Sequence, residues 1–559
     1  MKKEYQYSIY ILLFFSLIYS CARVSSPTGG PEDEDPPKIL KYSIENESKN
    51  VAIDTKEIKI DFDEYIKLED ATSQIIISPP MEIVPTFAPI GSPQKYLTIK
   101  FNEPLKQNTT YSINFGESIE DNNEGNKLSN FVYVFSTGEN IDSLTYSGKI
   151  HNVKSLEYDE KALVGLYKID TAFNDSTIFK QKPYYVTRPD SLGNFKFKYL
   201  HEGDYFLMGI SDGNRNLKYD PVIDKLAFKK ETFTIPIEEK PNLKLFTERD
   251  KFAVKSPSFK EWGKIIFEFL GNPDSVRVEN RDKAYTKEVQ LPSQTRDSLI
   301  YWFKPLAKDT LKESKKDTMS FFVFHNNQPV DTLTFRKKTR FRPKKLKLNL
   351  KRSENDFSTM EFTSETPLIT FNKERVSVLK DSTAIDFEII HEENKPYTFG
   401  LDFEKKFEGK YTVKLLPNAV EDFFGETIDT VTYSVKTFKE QEYANLEVVI
   451  ENKPKSKFWL QLMQDKKVKR EQYVQDSIVK FNHIKPGTYT LQMIVDLNNN
   501  GSWDTGDFFK KIQPEPYLFN NEEILLNAYW DVKKTWDITK EVKLKKKKKE
   551  DGQSKSPKR

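Results

Sequence analysis

The residues best placed to do chemistry lie in one stretch near the C-terminus. Asp496, Asn498, Asn500, Asp504 and Asp507 stand at positions 1, 3, 5, 9 and 12 of a loop, with Gly501 at position 6. Hard oxygens at every second residue can wrap one calcium ion, and a glycine at the sixth position permits the sharp turn this requires. The flanks depart from the helical setting of such loops, since Thr490 to Val495 is rich in β-formers. Asp507 is also shorter than the bidentate glutamate expected at position 12, which weakens a cation site. The same spacing suits an Asx-rich turn whose side chains cap their own backbone. A structural calcium is thus the one cofactor the sequence suggests. A second, poorer set is Asp212, Asn214, Asn216 and Asp220, where Leu217 replaces the glycine, Ile223 takes position 12 and Asp224 comes one residue late.

Other chemistry is thinly represented. The five histidines, His151, His201, His325, His391 and His483, are scattered, and none forms a His-Glu-x-x-His pair. There is no Gly-x-Ser-x-Gly elbow, no phosphate-binding glycine loop and no dinucleotide fingerprint. Asp61, Asp63 and Glu64 cluster along one strand pattern, where charged edges that resist aggregation explain them without catalysis. The sequence therefore argues against an enzyme. Trp459, Trp503, Trp530 and Trp536 gather in the last hundred residues, either as core or hairpin packing or as an exposed platform for sugar rings.

Stepping out to the whole chain, 559 residues imply several domains. Aromatics make up 13% and the hydrophobic fraction is 37%, enough apolar mass to build cores. Lys and Arg number 87 against 84 Asp and Glu, so no global field recruits nucleic acid. At the N-terminus, Lys2 and Lys3 precede an apolar run from Ile9 to Ile18, then Ser20 and Cys21, the single cysteine. That run is too short to span a bilayer, which needs roughly 20 apolar residues, and it has the form of a cleaved export signal. Leu17-Ile18-Tyr19-Ser20-Cys21 resembles a bacterial lipobox, which implies lipidation of Cys21, a membrane partner through that lipid, and a place at the outer membrane. Residues 21–37, rich in Ser, Pro, Gly and acid, read as a flexible tether.

The elements that follow are short strands. Ile58-Lys-Ile60-Asp-Phe62 and Leu97-Thr-Ile99-Lys-Phe101 alternate as half-buried strands do, and polar turn clusters such as Asp121 to Gly125 separate such runs. The expected fold class is all-β, a series of tandem β-sandwiches. Asn50-Val51, Ile58 to Phe62, Thr110-Tyr111, Asp121 to Gly125 and Phe135-Ser-Thr137 make residues 38–140 similar to the bacterial Ig-like domain of the SbsA type. Gly148-Lys-Ile150, Ala162 to Tyr167, Asp190 to Phe195 and Gly203-Asp-Tyr205 make residues 144–240 resemble the transthyretin-like fold of carboxypeptidase regulatory domains. Residues 241–344 carry a β-sandwich on pattern alone.

Both patterns recur. Tyr411-Thr-Val413, Asp422 to Gly425 and Tyr433 to Thr437 echo Tyr111 to Thr137, placing a second Ig-like domain at 345–440. Pro486-Gly487-Thr-Tyr489 echoes Glu202-Gly203-Asp-Tyr205, and the Asp496 loop echoes the Asp212 loop, placing a second transthyretin-like sandwich at 441–540. Residues 541–559 form a lysine-rich tail of the kind that stays solvated and disordered. Taken together the chain resembles lipid-anchored envelope proteins of the Bacteroidetes type. That implies adhesion, scaffolding or assembly with an envelope protein or polysaccharide as partner. Carbohydrate binding in nutrient uptake, or service as an accessory subunit of an envelope hydrolase or transporter, are the competing functions.

Overall fold

In a computed structural model the regular secondary structure of the described residues is almost wholly β-strand. The structure describes residues 33–540, apart from 130, 222, 262, 272–274, 282–287, 294–297, 305–317 and 337–343. The signal segment, Cys21, most of the tether and the lysine-rich tail lie outside the described residues. No described helix is long and apolar enough to cross a membrane. The chain divides into two compact units at Ser143/Leu144.

The first unit has one sheet ordered Ile39–Tyr42, Glu57–Leu68, Gln94–Lys100 and Thr86–Ala88, with Ile119–Asp121 also pairing with Glu57–Leu68. A second sheet holds Ile76–Ser78, Thr110–Asn114 and Val132–Ser136. The alternation seen in the sequence becomes burial: Ile58, Ile60 and Phe62 point inward, while Lys59 and Asp61 remain partly exposed and pair at 3.2 Å. They meet Leu97, Ile99, Tyr111, Ile113 and Phe135 in one core. Each such side chain contributes roughly 1.5–3 kcal/mol of hydrophobic stabilisation. Asp63 accepts a hydrogen bond from the Lys38 backbone N–H at 2.8 Å, so this acid closes the entry of the chain into the sandwich.

Among the described residues, successive hydrophobic cores of the second unit are centred on residues 144–245, 252–335, 346–435 and 444–538, and a smaller cluster of Trp302, Tyr397 and Phe423 links the middle two. We call these four cores the second to fifth modules. Internal repetition shows in atomic detail. In the first unit the Tyr111 hydroxyl accepts from the Lys106 N–H, and Thr137 Oγ1 donates to the Lys106 carbonyl. In the fourth module Tyr411 and Lys406 repeat the first bond at 2.6 Å, and Thr437 and Lys406 repeat the second at 2.6 Å. Asp121 and Asp422 each gather the backbone N–H groups of the turn that follows.

The second and fifth modules share another plan. In the second, the parallel pair Asn242–Leu245 and Leu144–Asn152 lies beside Asn194–Leu200. In the fifth, the parallel pair Asp531–Asp537 and Ala444–Glu451 lies beside Ile478–Ile484. Their facing sheets run Tyr185–Thr187, Ala162–Lys168, Gly203–Ser211, Leu226–Phe228 and Lys467–Val474, Phe458–Gln464, Gly487–Val495, Tyr517–Leu526. In both, a tyrosine hydroxyl near the start of the long central strand donates back to a carbonyl four residues earlier: Tyr205 to His201 at 3.0 Å and Tyr489 to Lys485 at 2.7 Å.

Candidate functional site: the two Asp/Asn loops

The strand Gly487–Val495 ends at Asp496, which is fully buried. A carboxylate there would lose its hydration unless the protein replaced it. Asp496 Oδ1 accepts from the Asn500 N–H at 3.1 Å, and Oδ2 accepts from the Gly501 N–H at 2.8 Å and the Tyr473 hydroxyl at 2.6 Å. Burial pushes its pKa upward, but the Tyr473 hydroxyl and these backbone N–H groups hold it below the ordinary aspartate value. The same hydrogen bond pushes the Tyr473 hydroxyl up to about 12, with burial adding to it. Gly501 has φ +75°, the left-handed conformation that glycine adopts without strain.

Asn498 and Asn500 turn their carbonyl oxygens to the N–H groups of Asn500 and Ser502. Their amide groups donate to Asp504 Oδ2 at 2.8 and 2.7 Å. The loop thus brings four of the five spaced oxygen donors together. Asp507 does not join them; it accepts from the Lys510 N–H and pairs with Lys510 Nζ, both at 3.0 Å. Glu515 takes the place beside the loop that spacing assigned to position 12. It is 4% exposed and accepts from the Leu497 and Asp504 N–H groups at 2.6 and 2.8 Å. Burial raises its pKa, and the carboxylates of Asp496 and Asp504 raise it further. Only the sequence Pro514-Glu515-Pro516 marks it, and it stands outside any twelve-residue window. Among the described residues no three His, Cys, Asp or Glu side chains converge as a metal-holding group.

The sister loop has the same wiring. Asp212 Oδ1 accepts from the Asn216 N–H at 3.1 Å and Oδ2 from the Leu217 N–H at 3.0 Å. Leu217 stands in for the glycine with φ +60°, so the turn survives the substitution in a conformation that strains a side chain. Asp224 plays the part of Glu515: it is buried, accepts from the Gly213 and Asp220 N–H groups, and has its pKa raised by burial and by Asp212 and Asp220. Asn214 and Asn216 cap the N–H groups of Asn216 and Lys218. Asp220 lies beside Asp224, whose carboxylate its N–H contacts.

The two loops meet. Glu248 accepts from the Tyr219 hydroxyl at 2.8 Å on one carboxylate oxygen and from the Phe508 N–H at 2.6 Å on the other. Arg249 pairs with Asp504 at 2.7 Å, Thr505 Oγ1 donates to the Thr247 carbonyl, and Gln513 donates to the Phe228 carbonyl. Lys511 pairs with Asp175 at 2.6 Å and stands 3.8 Å from the Phe508 ring centroid. Phe508 itself is 0% exposed, packed edge-on against Phe228 and Phe206 with centroids 5.3 and 5.9 Å away. Phe509 stacks on Phe179 at 5.6 Å.

The outward face of the fifth module's longer sheet carries its own pattern. Cross-strand register sets Tyr473, Trp459, Ile494 and Tyr517 in one row and Glu471, Gln461, Gln492 and Phe519 in the next. Trp459 stacks on Tyr473 at 4.6 Å, Trp503 meets Tyr517 edge-on at 5.7 Å, and Gln492 donates to Gln461 at 3.1 Å. The four tryptophans divide by face: Trp536 belongs to the core, Trp459 and Trp503 to this outer side, and Trp530 is 49% exposed. The histidines are dispersed among aromatic and backbone neighbours: His325 stacks on Phe252, His483 packs on Phe357, and His391 contacts the Thr398 carbonyl.

Residues 33–137 match the family of bacterial Ig-like domains. No curated protein sequence matches the chain. Among solved structures the chain is similar to the S-layer protein rSbsC, at 12% identity and a TM-score of 0.13, covering 88% of this chain and 64% of that one. It is similar also to BcpA, the major pilin subunit of Bacillus cereus, at 11% identity and a TM-score of 0.12, covering 71% and 99%. A third is the protein SGBP-B of the Bacteroides ovatus mixed-linkage glucan utilization locus, solved with a heptasaccharide, at 10% identity and a TM-score of 0.18, covering 69% and 94%. The chain spans 64% of the length of that S-layer protein, less than two thirds. The chain is thus an all-β protein with a bacterial Ig-like domain over residues 33–137.

Proposed function

We propose that the protein is a non-enzymatic, lipid-anchored component of the bacterial cell envelope that works in adhesion, scaffolding or assembly. The observation that carries the reading is the use made of the polar residues with the strongest chemical potential. The buried acids Asp121, Asp422, Asp212, Asp224, Asp496 and Glu515 each hold backbone N–H groups of turns, so they organise loops. The bacterial Ig-like domain and the lipobox resemblance at Cys21 add the setting. Protease treatment of intact cells, followed by blotting for the mature protein, tests it. Cleavage on intact cells assigns the modules to adhesion, and protection until the outer membrane is opened assigns them to periplasmic scaffolding. A protein found in the cytosol would refute the proposal.

One observation favours a second reading, carbohydrate binding. The row of Tyr473, Trp459 and Tyr517 beside Glu471 and Gln492 offers aromatic faces and polar groups together, the two kinds of contact a sugar ring accepts, with the buried Gln461 holding Gln492 in place. A glycan array probed with the mature chain separates the readings. Binding lost in Trp459→Ala would establish the second, and an empty array would leave the first.

A further inference from the structure

We infer that the segment 504–513 is an intramolecular clasp that binds the fifth module to the second, with the repeated Asp/Asn loops as its two jaws. Glu248 is the pivot, since one carboxylate accepts from Tyr219 of the first loop's segment and from Phe508 of the second. Some 260 residues separate the partners Glu248 and Phe508, so local chain geometry cannot account for the contact. The clasp has the anatomy of an interface hot spot: a fully buried aromatic anchor, Phe508, rimmed by the ion pairs Arg249–Asp504 and Lys511–Asp175. Gly506 fits the same design, because a Cβ there would stand 2.5 Å from the Phe246 ring.

The consequence is mechanical. Residues 144 and 540 belong to modules that the clasp joins directly, beside the Lys466–Glu157 ion pair and the Lys154–Trp503 contact, so a load between them meets these contacts before it reaches the third and fourth modules. The Asp/Asn turns acquire a purpose in this scheme: Asp496 and Asp212 hold rigid the loops that carry or flank the contacts, which lowers the entropy lost on docking.

Hydrogen exchange on the full mature chain tests the clasp from both sides. Phe508→Ala is expected to raise exchange about tenfold or more at 177–180, 226–228 and 246–248 of the second module. Arg249→Ala, which touches no core of the fifth module, is expected to raise it at 504–513. Phe508→Leu restores part of the protection. Unchanged exchange in the second module with Phe508→Ala would overturn the inference. So would faster exchange confined to the fifth module, in strands Ala444–Glu451 and Gly487–Val495, since that pattern reports local unfolding.

Discussion

Acidification should loosen the second module through His151. This side chain is 6% exposed on the strand Leu144–Asn152, and its Nδ1 has no hydrogen-bond partner. Burial, then the charge of Lys244 and, more weakly, that of Lys149 lower its pKa from 6.5 to about 4, against an opposing hydrogen bond with Asn242. Folding therefore keeps the ring neutral, while the unfolded chain takes up a proton as the pH falls through 6.5. Stability from this group is intact above that value, declines between pH 6.5 and 4, and is gone below 4. The gap corresponds to about 3 kcal/mol, a large share of the stability of an ordinary domain. Asp224 of the same module, whose pKa is raised by burial, gains stability as the pH falls and opposes the effect, so the variant His151→Gln isolates the histidine by difference. Protection factors for Leu144–Asn152 and Asn242–Leu245, corrected for intrinsic exchange, should fall between about pH 7 and about pH 4.5 in the parent and much less in the variant. Equal falls in both proteins would refute the reasoning.

Two further outcomes follow from the loops and the repeats. Tyr411→Phe removes the acceptor of the Lys406 N–H in the fourth module and should cost about 1 kcal/mol in urea unfolding, with Tyr111→Phe costing a similar amount in the first unit; a change in neither would mean water replaces both bonds. Because Tyr473, Arg249 and backbone N–H groups already satisfy Asp496 and Asp504, millimolar calcium is expected to leave the melting temperature of the chelator-treated chain unchanged. A rise that Asp496→Ala abolishes would assign the loop to calcium instead.

Much of the architecture can be read without coordinates, for a simple reason. Strand alternation has a period of two and acts over a few residues, so Ile58, Ile60 and Phe62 announce their inward face in the order of the chain. Repetition is equally local: Tyr111 and Tyr411, or Asp212 and Asp496, sit in matching neighbourhoods and do matching work. The left-handed turn at Leu217 is not legible in this way, because the leucine reads as the loss of the glycine that Gly501 supplies in the matching loop.

What the chain order hides is whatever depends on distant segments meeting. Glu515 is invisible as a loop partner because its distance from Asp496 obeys no turn rule; a strand return and a buried site bring it there. The faces of Trp459 and Trp536 cannot be told from composition, since either face of a strand accepts an aromatic until the opposite sheet is in place. Phe508 is the clearest case. Beside Phe509 in a polar loop it is one apolar residue among many, and only the approach of Phe206, Phe228 and Glu248 from a module more than two hundred residues away makes it an anchor. Local periodicity thus determines the strands and their repeats, whereas the contacts that join the modules arise from burial and hydrogen-bond satisfaction across long loops, which tertiary structure alone decides.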